Sequence, residues 1–140
     1  GWLGPLWNNL GATYEDQGKY KESLDAYLKA REYHYKSGSP HSKLIADWAV
    51  GHAYRLNNQP DSAAKWITSE MVANFDSLGD IEFQGWTYKE LGEIALQRSR
   101  PDSALAYLTQ AEEKLRAADM PNWDADGYKK LQEQIEKLRK

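Results

Sequence analysis

The sequence predicts an all-α fold: three stacked antiparallel helix pairs followed by a single C-terminal helix. One phrase recurs three times, as W-N-N-L-G-A-T-Y from Trp7 to Tyr14, D-W-A-V-G-H-A-Y from Asp47 to Tyr54, and Y-K-E-L-G-E-I-A from Tyr88 to Ala95. Gly51 follows Gly11 by 40 residues and Gly92 follows Gly51 by 41, a period that marks a stacked repeat array. Between these phrases apolar residues recur at helical spacing, and strand alternation is nowhere sustained.

The elements follow from breakers placed at matching points. Counting back from Leu10, as the later copies count back from Val50 and Leu91, puts Pro5 inside the first helix, which is therefore expected to be short. Gly18-Lys19, Asn57-Asn58-Gln59 and Arg98-Ser99-Arg100 precede segments that open at Tyr20, Pro60 and Pro101. Proline suits a first helical position, where its missing donor would have no partner anyway. These second helices are expected to run unbroken to Ser37-Gly38, Leu78-Gly79 and Ala118-Asp119, about 18 residues or roughly 27 Å each. Gly38 and Gly79 are expected to close them in the left-handed conformation, with Ser39 and Asp80 capping the helices that follow.

Within the second helices Leu24, Tyr27, Leu28 and Arg31, then Ala63, Ile67 and Met71, then Ala104, Leu105, Leu108, Ala111 and Leu115 form the stripes. From about Trp123 a further stripe of Tyr128, Leu131, Ile135 and Leu138 reads as an amphipathic helix covering the end of the stack. A heptad seam for a partner helix is the other reading of that stripe. The chain is thus expected to be one domain, 1–140, with repeats at about 1–38, 39–79 and 80–119 and a capping helix at about 122–139.

Composition narrows the function. The 140 residues are 41% hydrophobic and 28% charged, with a formal net charge of −3, so no concentrated basic face is expected and nucleic acid is not an expected partner. No apolar run reaches the roughly 18 residues needed to span a bilayer, and no basic segment with an apolar stretch opens the chain, so the expectation is no membrane partner and a cytoplasmic location. With no cysteine, disulfides, thiolate metal sites and cysteine nucleophiles are excluded. His34, His41 and His52 share no two-histidine metal spacing, so neither a metal nor a cofactor is expected.

These residues resemble the tetratricopeptide repeat, which joins an aromatic, Leu-Gly and Tyr on one helix to small and aromatic positions on the next. The first copy carries Trp7, Leu10, Gly11, Tyr14, Gly18, Tyr20, Tyr27 and Ala30, with Ser23 where the family prefers alanine. The second supplies Gly51, Tyr54, Ala63 and Ile67; the third supplies Tyr88, Leu91, Gly92, Ala104, Leu108 and Ala111. The resemblance implies a right-handed superhelix that binds proteins. Its period exceeds the family's usual length of roughly 34, like the long-repeat variants of kinesin light chains, spindle-orientation adaptors and bacterial peptide-sensing regulators. Glu70 stands where the pattern expects alanine. Gly11, Gly51 and Gly92 remove side chains where paired helices cross, with Ser23, Ala63 and Ala104 expected to receive the crossing.

The first helices of each pair then present a concave strip. Asn8, Asn9, Ala12, Glu15 and Asp16 lie on the first; Trp48, His52 and Arg55, at i, i+4 and i+7, lie on the second; Trp86, Lys89, Glu90, Glu93 and Gln97 occupy the equivalent places on the third. The peptide-binding candidates are Asn8, Asn9, Glu15, Trp48, His52, Arg55, Trp86, Lys89 and Glu93. Tryptophans beside Arg55 and Lys89 suit a peptide or helix with apolar and acidic features. Trp48 and Trp86 also fit a second reading, as core packing one position from the family's aromatic place. Asn8 and Asn9 resemble the asparagines that hold a terminal carboxylate in chaperone-binding members. Trp48 and Ala49 replace that clamp's basic partners, so a chaperone C-terminus is not expected.

A non-catalytic interaction scaffold is the reading this supports, with a protein or peptide partner and self-association through the repeat ends, Trp2, Leu3 and the tail. The alternatives are a peptide-sensing module of a larger regulator and, more remotely, an enzyme that uses Glu90 and Glu93 as paired carboxylates. Such pairs decorate most solvated helix faces, and no glycine-rich phosphate loop, nucleophile elbow or dinucleotide fingerprint accompanies them.

Overall fold

The computed structural model describes residues 1–140 and is all helical: α1 (Leu3–Asp16), α2 (Tyr20–Ser37), α3 (Pro40–Leu56), α4 (Pro60–Trp66), α5 (Ser69–Ser77), α6 (Ile81–Gln97), α7 (Pro101–Ala117), α8 (Met120–Trp123) and α9 (Ala125–Arg139). They form two compact units, Gly1–Ile67 and Thr68–Lys140. No helix is long and apolar enough to cross a membrane.

The first unit packs α2 on α1, α3 on α2 and α4 on α3. Pro5 falls in the first turn of α1, and that helix has 14 residues against 17 for α3. The core joins Leu24 and Tyr27 of α2 to Ala49, Val50 and Ala53 of α3, with Leu28, Trp48, Tyr54 and Trp66 against them. Arg31 ties α2 to α3: its Nε lies 2.6 Å from Asp47 Oδ1, and its guanidinium stacks 4.1 Å above the Tyr35 ring and 4.8 Å above Trp66.

The second unit packs α5 and α7 on α6, and α9 on α7. Leu108, Leu115, Met120, Tyr128, Leu131 and Ile135 form its core, with Trp86, Leu96, Leu105 and Leu138 at the margin. Phe75 of α5 stacks on Phe83 of α6 at 5.3 Å. The stripe of α9 is therefore used within the chain, on α7, and does not wait as a heptad seam for a partner.

The breaker positions share one geometry. Gly18, Asn58 and Ser99 all have positive φ (74°, 58° and 58°), and in each case the next amide closes the helix end: Lys19 on Tyr14 O, Gln59 on Tyr54 O and Arg100 on Ala95 O, at 2.8–2.9 Å. Gly79 is also left-handed, at φ 71°. Ser39 and Asp80 accept hydrogen bonds from the amides of Ser42 and Phe83, as caps should.

Two local expectations are overturned. Gly38 is extended (φ −85°, ψ 163°), not left-handed, because Ser39 must itself be extended to cap α3. The segment after Pro60 is not one helix: Ile67 and Thr68 are extended, and the Thr68 hydroxyl accepts from Met71 N–H to start α5. A β-branched pair with a hydroxyl three residues before a free amide offers the backbone a cap in place of another turn. Glu70 then lies exposed in the first turn of α5, where a carboxylate is favourable.

Candidate functional site

The face that the first helices offer is built separately in each unit. In the first unit, α1 and α3 run along the two sides of a groove. At one end Pro5, Asn8 and Asn9 of α1 face Ser42, Ile45 and Ala46 of α3 across a cleft of about 220 Å³, with His34 of α2 also lining it. Further along, the groove is bridged by Glu15 Oε1, 3.1 Å from His52 Nε2. His52 stacks on Trp48 with centroids 4.8 Å apart and planes 11° from parallel.

Glu15 also accepts a hydrogen bond from Tyr27 Oη at 3.2 Å. Burial, followed by the charge and hydrogen bond of Glu15 and the charge of Asp16, pushes the Tyr27 phenol well above its ordinary range. The phenol therefore stays a neutral donor that fixes the carboxylate. The structure thus brings Glu15, Trp48 and His52 together and places Asn8 and Asn9 at the other end of the same groove. Arg55 is half-buried one turn beyond His52.

Trp48 is partly buried and packs against the core cluster of Leu24, Tyr27, Ala49, Val50 and Ala53. Ser42, Ile45, Ala46 and His34 escaped the sequence reading. Ile45 lies three residues before Trp48, so extending the strip by one turn would have found it.

In the second unit the corresponding face of α6 is flanked by α8 and α9. Glu93 accepts a hydrogen bond from Gln134 Nε2 at 2.8 Å and has Lys89 Nζ at 3.8 Å. Trp86 donates from Nε1 to Glu82 at 3.0 Å and lies 6.2 Å from the Trp123 ring, which is half-exposed and anchored by its own Nε1 on Ala118 O. Trp86 also packs at the margin of the core. Glu90 is a correction: it is 2% exposed and points inward, so it neither lines the strip nor stands beside Glu93 as a solvent-facing carboxylate. A residue three positions from Thr87, itself fully buried, shares its inward face. No group of three or more metal-ligating side chains is gathered anywhere in the chain.

Residues 5–34 match the sequence model of the tetratricopeptide repeat. In three dimensions the chain is similar to a Podosopora anserina protein designated a kinesin light chain with nearly identical TPR-like repeats, at TM-score 0.63 and 17% identity, covering 94% of this chain and 72% of that one. A single-substitution variant of that protein matches equally, at TM-score 0.63 and 18% identity, over 96% and 74% of the two chains. No curated protein matches. The fold is that of a TPR-like helical repeat, and the stretch that matches the tetratricopeptide-repeat model lies in α1 and α2. Repeats of this class generally mediate protein–protein interaction.

Proposed function

We propose that this protein is a non-catalytic scaffold that captures a peptide segment of a partner protein in the groove between α1 and α3. The observation that carries this is the cleft itself, with amide side chains on one wall (Asn8, Asn9), apolar Ile45 on the other, and the His52–Trp48 stack further along. An extended peptide has unpaired backbone groups that paired asparagines satisfy from both donor and acceptor atoms. Its alternate apolar side chains then find Ile45 and the Trp48 ring. The face of α6, with Trp86, Lys89 and Glu93, is a second contact strip on the same reading.

The test is panning of a random peptide library displayed on phage against the purified chain, followed by binding of the selected peptides to Ile45→Arg, Asn8→Ala and a surface control, Glu113→Ala. Loss of at least tenfold in affinity in the groove variants, with none in the control, supports the assignment. Selected peptides that bind all three variants like the parent chain refute it.

A further inference from the structure

Trp123 of α8 is half-exposed and stands 6.2 Å from the Trp86 ring of α6, with the two planes inclined at 57°. Both helices belong to the second unit, and α9 follows them. Each indole is fixed through its nitrogen: Trp123 Nε1 donates to Ala118 O at 2.9 Å, and Trp86 Nε1 donates to Glu82 Oε2 at 3.0 Å. Those bonds occupy both N–H groups within the chain. What the pair offers outward is ring surface, and the face of an aromatic ring is its electronegative part.

The charge beside the rings has the same sign. Glu82 forms no ion pair, and its second oxygen, Oε1, accepts from no donor of the chain. Lys89, three residues after Trp86, is turned to Glu93 at 3.8 Å, and Arg116 to Glu112 at 3.6 Å. Asp119 and Asp124 bracket α8 and meet only neutral donors, Asn122 Nδ2 at 2.6 Å and the Gly127 amide at 3.0 Å. The sequence, read through Lys89, points to an acidic partner here. Packing pairs Lys89 with Glu93 and leaves Glu82 over, so the sign reverses.

The first unit shows what fills such a set. The Arg31 guanidinium lies 4.1 Å from the Tyr35 centroid and 4.8 Å from that of Trp66, with Nε 2.6 Å from Asp47 Oδ1. Trp86, Trp123 and Glu82 present the same kind of set, two rings and a carboxylate, with no arginine of this chain among them. Centroids 6.2 Å apart let one cation stand within the roughly 6 Å that cation–π attraction requires of each ring. A guanidinium suits this better than an ammonium, because its plane stacks on indole while its edge donates to a carboxylate.

We propose that the Trp86–Trp123 pair and Glu82 form a docking site for an arginine side chain of a partner protein, stacked on the indoles and hydrogen-bonded to Glu82 Oε1. The site rests on the reading of the α6 face as a contact strip, and not on capture in the α1–α3 groove.

The probe is the blocked tripeptide acetyl-Gly-Arg-Gly-amide, titrated into the isotopically labelled chain while the indole N–H signals of its six tryptophans are followed by NMR. The Trp86 and Trp123 signals move saturably, and the other four stay. Glu82→Gln, which keeps an acceptor for Trp86, and Trp123→Ala, read on Trp86, each weaken binding about threefold or more. Glu113→Ala binds like the parent. The inference is overturned if neither indole moves, or if either site variant binds the tripeptide like the parent chain. Equal binding of the citrulline tripeptide, similar in shape but uncharged, or of acetyl-Gly-Glu-Gly-amide, overturns it as well. This readout is confined to α6 and α8, so it succeeds or fails separately from the panning scored on the Ile45 and Asn8 variants.

Discussion

Gly92 of α6 lies against Leu108 of α7 so closely that a methyl group on it would stand 2.7 Å from both Cδ2 and Cγ of that leucine. Gly11 meets the Tyr27 ring at 2.8 Å and Gly51 meets Ile67 at 2.5 Å in the same way, and each contact residue lies sixteen positions beyond its glycine. Twelve positions beyond each glycine come Ser23, Ala63 and Ala104, all fully buried. The repeat is thus written as a two-point contact, a small residue followed one turn later by a large one. Leu108 is fully buried and cannot give way. Gly92→Val should therefore cost about 2–3 kcal/mol, read as a fall in denaturant midpoint without change of slope.

Gly4 and Gly85 stand seven residues before Gly11 and Gly92, and their absent side chains make room for His34 and Leu115. The equivalent place in the second repeat is Leu44, which is half-buried, and the helix that would have passed over it has already ended at Trp66. A full-sized side chain is tolerated where the paired helix no longer crosses. Gly85→Ala meets fully buried Leu115 at 2.6 Å and should cost about 1–2 kcal/mol. Gly4→Ala, facing a half-exposed imidazole that can swing aside, should cost less than about 0.5 kcal/mol by the same overpacking argument. The comparison of the two in thermal melts separates a fixed neighbour from a movable one.

The period, the breakers and the small residues were legible because each is a local demand on one position: a left-handed cap at Gly79, a first-turn proline at Pro60, a crossing at Gly92. The break at Ile67-Thr68 was not, since an apolar period continues straight through Ile67 and Met71. Only a competition between one more helical turn and the Thr68 cap decides it. The groove was half legible. Helical spacing put Glu15, Trp48 and His52 on facing strips, but it could not say that Glu90, on the same strip by count, rotates inward with Thr87. Nor could it say how far Asn8 stands from Ile45, because that distance belongs to the packing of α1 and α3 on α2.

Thr68 is the one residue whose side chain both ends an expected helix and begins another. Removal of its hydroxyl in Thr68→Ala leaves the Met71 amide without its cap and should cost about 1 kcal/mol. Amide hydrogen exchange checks this locally: protection should fall first in Ser69–Val72, while α1 and α2 exchange as before.

Arg31 joins α2 to α3 through chemistry of two kinds, an ion pair to Asp47 and stacking on Tyr35 and Trp66. Burial opposes its charge, and the hydrogen bond and charge of Asp47 more than offset that, so the guanidinium stays protonated. Tyr35 Oη donates to the other Asp47 oxygen at 2.5 Å. Arg31→Lys keeps the charge but loses the planar stacking, and should cost about 1 kcal/mol. Asp47→Ala should cost about as much, since the pair is partly exposed. A double-mutant cycle should then show a non-zero coupling between the positions, whereas strict additivity would mean the two contacts act separately.

Tyr27 gives the unit around the groove a defined response to alkali. Its phenol is held protonated by burial first and by Glu15 second, so the folded chain binds that proton more tightly than the unfolded chain. The stabilisation linked to it is complete below the unfolded tyrosine value near ~10 and is lost as pH rises from there toward the higher folded value. Tyr27→Phe removes both the linkage and the hydrogen bond to Glu15. It should be about 1 kcal/mol less stable at pH 7, yet lose less further stability than the parent between pH 9.5 and 11. Thermal midpoints measured across that interval check the slope, and parallel curves for the two proteins would show that Tyr27 carries no such linkage.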